Sequence, residues 1–201
     1  MLSATLMCLL PSLLVPPRHL VCHPMRRTSF AEMPCSIARA LEVIGDWWTL
    51  LIIREAFFGS RRFGEFEKAL GIAPNVLTTR LGKLVEHGIL RVDSVAQNGK
   101  ALSYRLTPAG HDLFPVLVAL LQWGDRHAAT DEGPPVRIVE RLSGEEIAPM
   151  GMRSASGQPL RVQDVTAQPG PGAGPEVLRR LEAVASAHRT DRSQDQRRGQ
   201  G

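Results

Sequence analysis

The sequence predicts an α+β fold that is mainly helical, and three observations support this prediction. Between Ile37 and Val85, apolar residues recur at helical spacing in four runs, and a glycine closes each run. Around the pair Asn98-Gly99 the apolar period changes to two, as in paired strands. All ten aromatic residues of the 201-residue chain lie between Phe30 and Trp123, so we expect the core in the middle of the chain.

The first two helices follow from their apolar spacing and their ends. The first helix keeps Ile37, Leu41 and Ile44 on one face and stops at Gly45. Asp46 is suited to cap the second helix, because its carboxylate can accept hydrogen bonds from free backbone N–H groups. This second helix is densely apolar up to Phe57, which predicts a central place in the core.

Two further helices are joined by a short connection. The third runs from Phe63 to Leu70 and is closed by Gly71. The fourth begins at Pro74, since proline is favoured at the first helical position, and it ends before Gly88. The residues of this fourth helix that share its apolar face are Leu77, Leu81, Leu84 and Val85.

A β-hairpin and one last helix complete the predicted domain. Apolar residues alternate from Ile89 to Val95 and again from Leu102 to Leu106, on either side of the Asn-Gly turn. Thr107-Pro108 then starts a helix that continues to Trp123, with an apolar face wider than a small domain would bury. Two helices with a short connection, followed by a hairpin, form the winged helix-turn-helix pattern. The long last helix is therefore a candidate for dimerisation.

The segments outside this domain are weaker. We expect residues 25–130 to form the winged helix domain, 131–167 a small β appendage, and 168–201 a Pro/Gly linker, a short helix at 176–188 and a disordered tail. Residues 1–24 lack the basic start and the cleavage site of a signal peptide, and prolines interrupt them too often for a membrane span. We expect translation to begin at Met25, so that residues 1–24 are a mis-assigned leader.

Charge and cysteine content limit the functional classes. The chain carries 24 basic and 20 acidic residues, a net charge of +4, and residues 25–130 hold 13 of the basic and 10 of the acidic ones. This mild excess allows a polyanionic partner. The odd cysteine count argues against a disulfide framework and favours a reducing, cytoplasmic setting, while Cys22, His23 and Cys35 lack the second ligand pair of a zinc site.

The solvent face of the fourth helix is the candidate for reading nucleic acid. With its leucines turned inward, small and hydrogen-bonding side chains point outward: Asn75, Thr78, Thr79, Gly82, Lys83 and Glu86. Asn75 and Thr79 could address base edges, since an amide matches the donor and acceptor of adenine. Gly82 is either a point of close backbone approach or an ordinary surface glycine.

Cations around this face are candidates for phosphate contacts, which fix position without reading sequence. They are Arg61, Arg62, Arg80 and Lys83, with Asn98 and Lys100 at the hairpin tip reaching the backbone or the minor groove. Arg80 lies near the apolar face, so it could instead brace the helix through a carboxylate. For each residue alone, the alternative is a solvated surface group.

No motif indicates catalysis. The sequence contains no Gly-rich phosphate loop, no HExxH and no GxSxG, and His111-Asp112 are neighbours that point in different directions on a helix. We therefore expect no enzyme activity, no catalytic residues, no cofactor and no metal.

Four segments together resemble a known family. IGDWWTLLIIRE, RRFGEFEKAL, VLTTRL and YRLTPAG, within residues 34–125, are similar to the HxlR-type regulators, relatives of the MarR-type winged helix proteins. The resemblance implies a transcriptional regulator that binds double-stranded palindromic operator DNA as a homodimer held by its first and last helices. In a subset of similar regulators, paired cysteines of the appendage look like a zinc ribbon. Here Ser143, Arg153 and Ser156 stand in their place, so we expect no zinc site. The alternative is a winged helix protein-interaction module without DNA binding.

Cys35 is a second feature that the resemblance singles out. Several family members sense oxidants or electrophiles through one cysteine just before the first helix, and Cys35 lies at the matching place. A helix N-terminus favours the thiolate form. Cys35 is therefore either a sensor for a redox or small-molecule effector or an inert, partly buried residue.

Overall fold

The four helices predicted before the hairpin are present. The computed structural model describes residues 29–94 and 102–198. In it, α1 spans Ser36–Ile44, α2 Trp47–Phe57, α3 Phe63–Leu70 and α4 Pro74–Glu86. The predictions for residues 1–24, Asn98 and Lys100 concern positions outside the described residues.

The ends of these helices follow from local chemistry. Asp46 caps α2, because its Oδ1 accepts a hydrogen bond from the backbone N–H of Trp48 at 3.1 Å. Gly71 ends α3 in the left-handed conformation (φ 59°), which favours glycine. At the start of α3, Glu65 Oε2 accepts hydrogen bonds from the backbone N–H groups of Arg61 at 2.6 Å and Arg62 at 2.9 Å. The sequence signals for helix termination are thus confirmed.

The hairpin pairs two antiparallel strands, β1 (Leu90–Ser94) and β2 (Leu102–Leu106). In their register, Leu90 faces Leu106 and Arg91 faces Arg105. The edge of β2 that faces away from β1 is also hydrogen-bonded, since the N–H of Tyr104 donates to the carbonyl of Arg61 at 2.7 Å. The connection between α2 and α3 is therefore attached to the hairpin, which completes the winged helix-turn-helix arrangement.

The prediction of one continuous last helix was wrong. The structure has a short α5 (Pro108–His111) and a separate α6 (Phe114–His127). Pro115 explains the break, because it has no N–H to donate to His111 and its ring clashes with that carbonyl in a continuous helix. The N–H of Leu113 instead bonds the carbonyl of Gly110, three residues back, at 3.2 Å.

The core lies between α2, α3, α4 and the hairpin. Its largest fully buried side chains include Phe66 of α3 and Ile52 and Ile53 of α2, none of which has exposed surface. The edge of the Phe66 ring meets the Tyr104 ring of β2, with centroids 6.3 Å apart. The prediction that α2 is central to the core is confirmed.

The C-terminal third contains little regular structure before one long helix. Two-residue strands β3 (Met152–Arg153) and β4 (Pro159–Leu160) pair antiparallel, so a small β appendage is present. The last helix, α7 (Pro175–Arg198), is longer than the predicted 176–188 and includes residues 189–198, which were predicted to be disordered. Residues 176–198 contain neither glycine nor proline, which explains why the helix continues. Within the described residues, every helix is too short or too polar to cross a membrane.

Candidate nucleic-acid interface

The solvent face of α4 has the composition that the sequence predicted. Leu77, Leu81 and Leu84 are fully buried against the core. The residues between them are exposed, and we call them the reading face: Asn75, Thr78, Thr79, Gly82, Lys83 and Glu86. A rigid helix therefore presents an amide, two hydroxyls, an ammonium and a carboxylate to solvent.

The two threonine hydroxyls of the reading face are oriented by the helix itself. Thr78 Oγ1 donates to the carbonyl of Pro74 at 2.8 Å, and Thr79 Oγ1 donates to the carbonyl of Asn75 at 2.9 Å. Because each hydroxyl donates its hydrogen to a backbone carbonyl, its oxygen can still accept a hydrogen bond from another group. In this orientation the threonine oxygens can accept hydrogen bonds from the exocyclic amino groups of bases, whereas the amide of Asn75 can both donate and accept hydrogen bonds.

Arg80 does not belong to this open surface. Its Nη2 lies 2.7 Å from Oδ2 of Asp46, and the two side chains are only 20% and 15% exposed. Its Nε is buried and has no hydrogen-bond partner among the described residues. The structure thus favours the alternative that Arg80 braces α4, through the same carboxylate that caps α2.

The two arginines before α3 have different environments. Arg61 is half-buried, and its Nη1 donates to the carbonyls of Ala56 at 2.5 Å and Ser60 at 3.0 Å. Its cation therefore lies at the C-terminal end of α2, where the helix dipole favours positive charge. Arg62 is exposed. Arg62 and Lys83 are the described candidates whose cations are open to a phosphate.

Cys35 immediately precedes α1 and is half-buried. Hydrogen bonds from the backbone N–H groups of Ala38 and Ile37 lower the pKa of its thiol, and the more distant charges of Arg180 and Arg39 act in the same direction. Sequence reasoning found the helix terminus but missed Arg180, since α7 reaches this place only in the folded chain.

Sequence reasoning missed two basic side chains of the hairpin, Arg91 and Arg105, which lie close to the predicted Arg61. Arg91, Arg105 and Arg61 line one cavity together with His111 and Leu106. A two-residue turn at Asn98-Gly99 would place Arg91 opposite Leu106, whereas the structure pairs it with Arg105, so the turn signal did not predict this pair. Among the described residues, no group of three or more His, Cys, Asp or Glu side chains is arranged to hold a metal ion.

Relatives of the chain are helix-turn-helix proteins. Rv3095 of Mycobacterium tuberculosis, named an uncharacterized HTH-type transcriptional regulator, is 44% identical over 137 residues, which cover 68% of this chain and 87% of that protein. The model of the HxlR-like helix-turn-helix family matches residues 43–132. The chain belongs to the HxlR-like helix-turn-helix family.

More distant relatives and solved structures agree with this membership. An HTH-type regulator of Synechocystis, sll1512, is 35% identical over 45% of this HxlR-family chain and 67% of its own length. The crystal structure of PA1607, described as a candidate transcription factor, superposes with a TM-score of 0.66 at 45% identity, covering 70% of this chain and 99% of PA1607. PA1374 of Pseudomonas aeruginosa gives a TM-score of 0.53 at 42% identity, covering 73% and 99%.

The similarity to Rv3095 extends beyond the segment that the family model matches. The match to Rv3095 is 137 residues long, whereas the family model spans residues 43–132, which is 90 positions. This chain and Rv3095 therefore share sequence outside that segment.

Proposed function

We propose that this HxlR-family protein is a sequence-specific DNA-binding transcriptional regulator that acts as a homodimer on palindromic operator DNA. The reading face of α4 carries the proposal, because it displays base-reading groups on a helix whose opposite side is fixed in the core. The names of Rv3095 and sll1512 as HTH-type transcriptional regulators support it.

An apolar stripe on α6 supports the homodimer. Val116, Leu120 and Trp123 are 43%, 48% and 57% exposed. At about 100° per residue these three side chains lie within roughly 60° of one another on the helix. Val118, which is 3% exposed, points almost opposite, towards the core. The stripe is thus an apolar surface that a second copy of the chain would cover.

The appendage leaves this stripe open. Gln122 of α6 accepts a hydrogen bond from the N–H of Met150 at 2.6 Å and donates to the carbonyl of Ala148 at 3.4 Å. By helical geometry Gln122 lies about 130° from the centre of the stripe. The α1 helix adds a second apolar surface, since Ile37 is 72% and Leu41 is 45% exposed. We propose that α1 and α6 of two chains form the dimer seam.

DNA binding is tested by fluorescence anisotropy with DNA from upstream of the gene and of its neighbours, over a range of salt concentrations. We expect tight binding to a palindrome whose half-sites are about one helical turn apart. Asn75→Ala should cost about 1–3 kcal/mol on the operator and relax specificity, because it removes a base contact. Lys83→Ala should weaken binding on all sequences and reduce the salt slope by about one.

Arg137→Ala is the matched control, since Arg137 is an exposed cation of the appendage. It should leave both affinity and salt slope unchanged. Binding that is salt-labile and indifferent to sequence would refute the regulator proposal. A monomer by analytical ultracentrifugation at micromolar concentration would refute the dimer.

We further propose that Cys35 makes DNA binding responsive to oxidants or electrophiles. The support is its position at the start of α1, where two backbone N–H groups stabilise the thiolate and lower the thiol pKa. Diamide or a quinone should change the operator affinity of the wild type and leave Cys35→Ser unaffected. An equal change in both proteins, or no change in either, would show that Cys35 is inert.

A further inference from the structure

The outer face of the hairpin carries positive charge that its neighbours do not neutralise. Arg91 and Arg105 face each other directly across β1 and β2, an arrangement in which like charges repel. Both contact one carboxylate oxygen, Oδ2 of Asp93, at 3.5 Å from Arg91 Nη2 and 3.1 Å from Arg105 Nε. Two guanidinium groups thus share a single acceptor atom.

A third guanidinium and an imidazole complete this group around a cavity of about 180 Å³. Arg61 is anchored there through Nη1, which leaves its Nε and Nη2 without a partner in the described part of the chain. His111 of α5 is placed by its edge contact with the Phe57 ring, with centroids 5.7 Å apart. An imidazole offers at least one N–H donor whether it is neutral or protonated.

The charges in this place do not cancel. Three guanidinium groups and the one carboxylate of Asp93 leave two positive charges. The carboxylate of Glu65 is bonded to the backbone N–H groups of Arg61 and Arg62 and does not line the cavity. Guanidinium groups bind the oxygens of phosphate and carboxylate through paired N–H donors, and here they converge on a concave surface.

We propose that this cavity, the wing-base pocket (Arg61, Arg91, Arg105, Leu106 and His111), binds a small oxyanion of the phosphate class, either free or as the phosphate group of a metabolite. The pocket lies at the end of the hairpin that leads into α5, and α5 is followed by α6. An anion bound there contacts both the hairpin and α5, so it links the winged helix to the helix proposed for dimerisation. The inference goes beyond the proposed function and does not depend on it.

The expected affinity for the anion follows from how exposed the arginine side chains are. The side chains of Arg91 and Arg105 are 60% and 53% exposed, so solvent screens their charges. We expect a dissociation constant for inorganic phosphate on the order of millimolar. Binding should raise the melting temperature, because phosphate binds the folded pocket and not the unfolded chain.

The test titrates inorganic phosphate into the purified full chain at constant ionic strength, with chloride as the reference anion, and follows thermal unfolding and the arginine Nε resonances by NMR. We expect saturable shifts of these resonances and a raised melting temperature. Arg105→Gln should weaken phosphate binding by about tenfold, since it removes a charge-assisted donor pair. Arg91→Lys keeps the charge but loses the paired donors, and should weaken binding to a smaller extent.

Arg62→Gln is the matched control, because Arg62 is an exposed cation near this pocket that does not line it. It should bind phosphate like the wild type. A linear, non-saturating response to phosphate, or equal weakening in Arg62→Gln, would overturn the proposal. A second experiment measures the DNA affinity of Arg105→Gln. If this variant lowers both DNA affinity and the salt slope while free phosphate does not bind, the arginines contact the DNA backbone. The small-anion site is then rejected.

Discussion

Gly110 in α5 is expected to be intolerant of any side chain. A Cβ atom at this position would overlap the carbonyl oxygen of Ile89 and lie 2.9 Å from Cδ2 of Leu106. The leucine methyl can rotate away, but the carbonyl is fixed, because it accepts a hydrogen bond from the N–H of Thr107 at 3.1 Å. Gly110→Ala must therefore displace α5 from the hairpin.

The size of this effect follows from the cost of overpacking. Inserting one methyl into a packed interior costs about 1–3 kcal/mol. The helix α5 has only four residues, so the better helix propensity of alanine recovers little. We expect Gly110→Ala to lower the free energy of unfolding by about 2 kcal/mol, and the melting temperature by roughly 10 °C for a domain of this size.

Gly82→Ala is the matched control in the same molecule. Gly82 is exposed in the interior of α4, and apart from its chain neighbours and the backbone of α4, no atom of the described residues lies within 4 Å of the Cβ position. Alanine should therefore raise the free energy of unfolding by about 1 kcal/mol. Urea unfolding followed by far-UV circular dichroism measures both variants. Wild-type stability in Gly110→Ala, or a loss in Gly82→Ala, would refute this reasoning.

The same control variant decides between the two interpretations of Gly82. If the α4 backbone approaches DNA closely at this point, Gly82→Ala should lose operator affinity although the protein becomes more stable. If Gly82 is an ordinary surface glycine, affinity stays at the wild-type level. The anisotropy assay described above measures the difference.

Three further substitutions test individual contacts. Asp46→Asn keeps the cap of α2 but removes the charge that pairs with Arg80, so we expect the free energy of unfolding in urea to fall by about 1–3 kcal/mol. Asp46→Ala also removes the cap and should lose about 1 kcal/mol more. Equal losses in the two variants would contradict the double role of Asp46. Backbone N–H groups hold the pKa of Glu65 below its usual value, so the stability it adds is present above the unfolded-state pKa and is lost as pH falls through the folded-state pKa. Glu65→Gln should therefore be less stable than the wild type at pH 7 and approach it in acid, and a constant difference across pH would contradict this. Gln122→Ala should speed limited proteolysis near Met150 without changing the melting temperature of the winged helix, and unchanged proteolysis would show that the appendage is held by other contacts.

The sequence predicted most of the winged helix because its signals are local. Gly45, Gly71 and Gly88 mark helix ends, and Asp46 and Pro74 mark helix starts, through the chemistry of a few neighbouring residues. The break at Pro115 was missed because Leu113 and Leu117 keep the same apolar phase on both sides of it. Apolar periodicity reports which side of a segment is buried and does not detect a missing backbone donor.

The candidate site was predictable only where burial alone decides it. The buried leucines of α4 determine which side of that helix faces solvent, so the reading face followed from their spacing. Long side chains behave differently, because their direction depends on distant partners. Arg80 finds Asp46 only after α4 has packed beside the start of α2. Arg61 instead turns back to the carbonyl of Ala56, five residues earlier in the chain. The wing-base pocket likewise requires the register of two strands and the position of α5.

The hydrogen bond between Tyr104 and Arg61 has a consequence for the energetics of the proposed DNA binding. It gives β2 a backbone neighbour on each side, so the strands of the hairpin are held by the body of the domain and do not form a separate arm. The angle between the hairpin and α4 is then set before any DNA is present. Since an interface that is already ordered loses less conformational entropy on association, this one backbone bond should favour binding by preorganisation.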